Sequence, residues 1–317
     1  MEHKVLRTIA GAVGPVAAFG FALVVALAQP SKVHAEDAEE AAARRERCAT
    51  RLSVALLGES PSAALLAASD PQAQVEGLLR DEAFVERFAR FVNAQFNPEP
   101  GEAIPEDASY TLAKHVVGGD EPWRAMFVGK YRVGEAVADD ADGLGYFRSP
   151  AWMKRYAGNE EAGYRIAAAY RIMQNTVGLE LTATTNVEGV DLTATGRQAP
   201  ACAGCHYQSW YALDLVSKVL SRRQGEGDDI TFTPPTEGPQ KILGGQTIAN
   251  DEELVEALVK SDDFRFQSCR LAFKFLYGRA ETTCEAPVFD KCVDAFDAKG
   301  TMKAAIAAIA TDPTFCQ

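Results

Sequence analysis

Apolar residues in this chain recur at intervals of three and four, the spacing that gathers them on one face of a helix. The clearest stretch ends at Phe96: Phe84, Phe88, Phe91 and Gln95 fall at helical spacing, with Val92 and Phe96 beside them. That aromatic stripe is expected to face a core. A second stripe, Ile166, Ala169, Tyr170, Met173 and Val177, lies in a helix expected over 159–181. Residues 37–57 are rich in Ala, Glu and Arg and read as a helix stopped by Gly58. Ser60 and Asp70 each precede a proline, the order of an N-cap and first helical residue. A further helical zone is expected from about 107 to 133. Asp251 opens another helix, and three more helical stretches follow, the last closing at Cys316. No set of alternating segments is able to build a sheet, and no internal repeat occurs. The pattern predicts an all-α protein of many helices.

The breaks in the pattern divide the chain. "NPEPGEAIPED" (97–107) is Pro-rich, and 134–147 is rich in Asp and Gly. Asp139, Asp140 and Asp142 resemble part of a calcium loop, but the Gly and the closing Glu are misplaced for one, and a solvated loop is expected. Residues 182–198 are Thr- and Gly-rich, a loop or short hairpin. The turn-rich connection 222–248 is the expected boundary between a larger helical part, 36–225, and a C-terminal helical module, 226–317.

The first 35 residues follow a different rule. Lys4 and Arg7 precede an uncharged run from Thr8 to Gln29, and Val33 and Ala35 stand at the small-residue positions before Glu36. This is the order of a cleaved export signal. The run is also long enough for a retained membrane anchor, but Gly11, Gly14, Pro15 and Gly20 weaken a stable helix. With 1–35 removed the mature chain is expected to have no membrane span. Net charge is −12, and removing Lys4, Arg7, Lys32 and Glu2 makes it two units more negative. So acidic a chain, with no basic tract, is not built to hold nucleic acid.

Export changes how the seven cysteines are read, because spare thiols pair outside the cytoplasm. Two of them stand in "GRQAPACAGCHYQSWYALD" (196–214), where Cys202, Cys205 and His206 make C-x-x-C-H. Two thiols three apart can add to the two vinyl groups of one heme, and the next residue then points an imidazole at the iron from the same side. A structural zinc site needs a second ligand pair, and the chain beyond residue 35 has only His115 and His206. A thioredoxin-like pair needs a preceding strand, and the Gly/Thr/Gln-rich segment before Cys202 does not read as one. One covalent heme c is therefore expected, with His206 on the iron.

The opposite face of the iron has several candidates: Met126, Met153, Met173, Met302 and His115. Met173, on the helix before the motif, is placed first and His115 second, followed by an open or water-bound position. Either residue equally suits an ordinary structural role. Tyr207, Trp210 and Tyr211 could pack on the porphyrin edge or meet a propionate, as could Arg197, or they could simply fill the core and surface.

Five cysteines remain. Pairing Cys284 with Cys292 and Cys269 with Cys316 would staple the C-terminal module and leave Cys48 free, though other connectivities are open.

On these residues the chain resembles exported planctomycete- and myxobacterial-type cytochrome-like proteins built from helical modules of unknown function. The likeness runs from "RLSVALLGESPSAALLAAS", through "YRIAAAYRIMQNTVGLEL" and the C-x-x-C-H segment, to "CRLAFKFLYGR" and "MKAAIAAIATDPTFC". It is sharp only at Cys202, Cys205 and His206. Those proteins follow the motif with x-x-x-D-P-L-G, where this chain reads "YQSWYALD". The resemblance implies an exported heme protein.

Motif and signal together lead to an expectation of a monoheme c-type cytochrome in the periplasm, or on the surface, of a bacterium. It would pass single electrons to redox partners with a basic docking face. A heme-based enzyme subunit, peroxidase-like or binding a small ligand, is the second expectation, and a structural heme protein the third.

Overall fold

The structure, a computed structural model, describes residues 32–97, 108–156, 166–182, 188–225 and 231–317. The uncharged run and most of the expected signal lie outside them. Helix α1 (Lys32–Leu56) leads through the short α2 (Ala63–Leu66) and α3 (Val75–Leu78) to α4 (Glu82–Phe96), α5 (Ala108–Gly118) and α6 (Ala125–Val128). The hairpin β1 (Tyr131–Val133) and β2 (Val137–Asp139) precedes α7 (Pro150–Tyr156) and α8 (Ile166–Val177). Then come α9 (Pro200–Ala203), α10 (Leu213–Lys218) and two more hairpins, β3 (Arg222–Gln224) with β4 (Thr231–Thr233) and β5 (Gln240–Ile242) with β6 (Gln246–Ile248). Four helices close the order: α11 (Asp251–Val259), α12 (Asp262–Tyr277), α13 (Ala286–Lys299) and α14 (Met302–Ala310).

The aromatic stripe lies at the centre of this arrangement. Asp81 caps α4 by accepting from the Ala83 amide at 2.9 Å. From there Phe84, Phe88, Val92 and Phe96 are all buried. Phe88 meets Phe275 of α12 edge-to-face at 5.1 Å and Trp123 at 6.0 Å, the geometry that aromatic pairs favour. Helix α12 packs in turn on α8, α11, α13 and α14, and α8 packs on α10. One continuous core results, running from Cys48 to Phe315.

Several expectations change. Ser62, not Ser60, caps α2, accepting from the Leu65 amide at 3.2 Å; Asp70 caps a 3₁₀ turn, Pro71–Gln74, instead of a long helix. The helical zone expected to reach 133 ends at Val128 and becomes strand β1. Gly129 makes that exit possible, since a Cβ there would lie 2.5 Å from the Ala125 carbonyl oxygen and closer still to the Tyr131 ring. Sheet structure does occur, among the described residues as three separate antiparallel hairpins. Two of them fold the 222–248 connection, with Gly244 and Gly245 at φ 76° and 104° turning β5 into β6. The connection lies inside one compact unit, Ala42–Gln317.

The disulfide pairing also differs. Cys48 joins Cys316, and Cys269 joins Cys292. Cys48, expected to be free, instead ties α1 to the last turn of the chain, while Cys284 is free and exposed. The reason is geometric. Cys284 sits in the short turn that leads into α13, whereas the buried Cys292 faces the buried Cys269 across the α12–α13 contact. The C-terminal helices are stapled, but through α12 to α13. Among the described residues no helix is long and apolar enough to cross a membrane.

Peptide mapping of oxidised protein is expected to recover 48–316 and 269–292 linked fragments, with Cys284 open to alkylation. Replacing Cys48 and Cys316 by Ser should remove about 3–5 kcal/mol of stability in denaturant unfolding, because the link closes a very long loop. Acid should weaken the α4–α5 contact. Hydrogen bonds from Tyr110 and Lys114 hold the Glu86 carboxyl down at about 2, from an ordinary 4.5. A depressed carboxyl adds stability that is complete above pH 4.5 and is lost as pH falls toward about 2. Glu86→Gln should flatten that limb of a pH-unfolding series.

Candidate functional site

Pro200 starts α9 at its first position, and Cys202 lies on this short helix. The chain then widens into a π-helical turn, Gly204–Gln208, closed by the Ser209 amide donating to the Gly204 carbonyl at 2.8 Å. Such turns insert one residue into a helix and recur at functional sites. Here the turn carries Cys205, His206 and Tyr207. Helix α10 follows and docks on α8 and on β5. The β5–β6 hairpin closes over the motif, with the Leu243 amide donating to the Trp210 carbonyl at 2.9 Å.

Asp214, in the first turn of α10, organises the site. Its side chain is 6% exposed, and that of Arg197 is 8% exposed. Arg197 donates from Nε to Asp214 Oδ2 at 2.9 Å and from Nη2 to Oδ1 at 2.7 Å, the bidentate fork that suits a buried pair. The single proton of the Tyr207 hydroxyl is shared between the Ala194 carbonyl at 2.8 Å and Asp214 Oδ1 at 3.1 Å. His206 Nδ1 lies 2.7 Å from Oδ2. Burial pushes the Asp214 carboxyl up, but the hydrogen bonds and charge of Arg197, with His206 and Tyr207, outweigh it and hold the group below its ordinary value. Burial and the neighbouring Asp214 push the Tyr207 phenol up. An ionised carboxylate only accepts, so the ring proton of His206 sits on Nδ1 and the Nε2 lone pair is left for a ligand.

Arg197 reaches this position because of a tight loop. It also donates to the Leu192 carbonyl. At Gly196 a Cβ would stand 2.1 Å from the Asp191 carbonyl oxygen, so only glycine fits the close approach of the two strands of the loop.

The two thiols of the motif are unpaired: Cys202 is half-buried and Cys205 exposed. Tyr211 donates its hydroxyl to Cys205 Sγ at 3.3 Å. Five large apolar side chains are exposed among the described residues, and three of them, Val190, Leu192 and Trp210, flank the motif along the chain. The stretch thus carries two free thiols and a histidine whose Nδ1 faces Asp214. Among the described residues no three His, Cys, Asp or Glu side chains are grouped to hold a metal ion, and Asp139, Asp140 and Asp142 form no such group either.

The two proposed partners for the opposite face lie apart in the fold. Met173 is fully buried in α8, the helix on which α10 docks. His115 is on α5, where its Nε2 lies 3.2 Å from Glu121 Oε1 and its ring meets Tyr131 edge-on. Arg197 is not the propionate partner or surface residue the sequence suggested, since Asp214 claims it. The sequence reading assigned Asp214 no role. The signal was there, a lone acid in the apolar run "YALDLV".

No protein-family model, no curated protein and no solved structure matches this chain. Function is therefore argued from the site.

Removing the carboxylate should be costly. Asp214→Ala strands a buried guanidinium and is expected to lose about 3–5 kcal/mol in urea unfolding. A loss below about 1 kcal/mol, the range of exposed pairs, would mean that the pair is not buried in solution.

Proposed function

We propose that the chain is an exported monoheme c-type cytochrome, related in kind to the cytochrome-like proteins it resembles, that transfers one electron at a time. The observation that carries this reading is the pair of unlinked thiols, Cys202 and Cys205, three residues apart with His206 next, in a protein whose Cys48, Cys269, Cys292 and Cys316 all form disulfides. Cys284 is also unlinked, but it has no second cysteine and histidine at this spacing, so it is the C-x-x-C-H order that sets Cys202 and Cys205 apart.

In this reading Cys202 and Cys205 would anchor heme c and His206 Nε2 would bind its iron, and the heme would supply a ferric–ferrous couple. The protein's own residues would do the rest: Asp214 would fix the imidazole tautomer, Val190, Leu192 and Trp210 would offer apolar surface, and the acidic surface would steer a basic redox partner. The disulfides support a periplasmic or surface location outside the reducing cytoplasm.

The burial of Met173 favours a second reading. A methionine sealed in the core is not offered to a group seated on the surface rim, so the second axial position would be open. An open iron that binds a small molecule belongs to a heme enzyme subunit.

Secretion of the chain alongside a working heme-attachment apparatus should give coloured protein whose mass exceeds the bare chain by one heme. Cys202→Ala with Cys205→Ala should abolish that adduct. A colourless product of bare mass would end the proposal. Met173→Ala should leave the spectrum unchanged, and CO should bind, if the position is open. A changed spin state in Met173→Ala would make that residue the ligand and favour the carrier.

A further inference from the structure

We infer that Asp214 is a positioning residue that sets the poise of the site: by accepting the Nδ1 proton of His206 it makes that imidazole a more basic axial ligand and biases the iron toward the ferric state. This rests on the heme reading above.

A ligating histidine passes its other ring proton to a carboxylate, a carbonyl or water, and the choice tunes the ligand. A carboxylate is the strongest of the three, because a charged acceptor holds the proton more tightly than a neutral one. Here the contact is 2.7 Å, and Asp214 is only 5% exposed, so water does not dilute its charge. The carboxylate is also held rigidly. Arg197 grips both oxygens, and Tyr207 bonds Oδ1, the oxygen His206 does not use. Arg197 keeps the carboxylate ionised; Tyr207 withdraws part of its charge. The set thus contains one group that strengthens the pull on His206 and one that trims it. The electron density pushed onto Nε2 stabilises the higher oxidation state, so the couple is shifted to lower potential.

The opposed roles give a signed test by redox titration of the secreted holoprotein. Asp214→Asn replaces the charged acceptor by a neutral one. The ferric preference should fall by about tenfold to a hundredfold, the range seen when outer-shell partners of metal ligands are replaced. At 59 mV per tenfold for one electron, the potential should rise by roughly 60–120 mV. Tyr207→Phe removes a donor from the carboxylate, so the potential should fall. The iron–imidazole stretch in the reduced protein should move down in the first variant and up in the second. A structural role alone moves neither pair in opposite directions. An unchanged or lowered potential in Asp214→Asn, or an unchanged or raised one in Tyr207→Phe, overturns the inference. Should Asp214→Asn fail to take heme, Tyr207→Phe decides by itself. Failure of the wild-type chain to take heme ends the heme reading instead, and is distinguishable because no titratable couple is then present.

Discussion

Taking an ionised carboxylate out of water costs several kcal/mol unless charge and hydrogen bonds replace the solvent. Asp214 meets that demand by joining three segments: the 3₁₀ turn holding Arg197, the π turn holding His206 and Tyr207, and the first turn of α10, where it sits. The first two supply the donors and the third the carboxylate. The local fold is therefore set by a polar requirement inside an otherwise apolar protein. The helical core provides the platform, since α10 rests on α8 and α8 on α12. The same requirement fixes which nitrogen of His206 faces outward.

The parts legible in the sequence are those governed by short-range periodicity. Phe84, Phe88, Val92 and Phe96 follow the 3.6-residue rule and are buried as their spacing demands. Met173 and Val177 do the same on α8. The hairpins were hidden because strands of three residues carry too few positions for an alternation to register, and because glycines such as Gly244 read equally as loop. The disulfide partners were hidden for a different reason. Cys48 and Cys316 are 268 residues apart, and no local pattern encodes a contact made by the packing of the whole chain.

At the site, Cys202, Cys205 and His206 announce themselves because C-x-x-C-H is a short local pattern. Asp214 does not, since an acid eight residues after a histidine has no fixed meaning until the turn between them is known. The extra residue of the π turn is what brings Tyr207 and His206 onto the same carboxylate. Arg197 was misread for the opposite reason: an arginine in a polar loop is usually solvated, and only the glycine contact at Gly196 folds this one inward.

The bond between Cys48 and Cys316 has a consequence for how the molecule is made. A thread emerging amino-end first presents Cys48 early and must then wait for almost the whole remaining length before its mate arrives. During that interval the other thiols of the chain, Cys202 and Cys205 among them, are rival partners for Cys48, so the closure that joins the two ends of the described fold comes last.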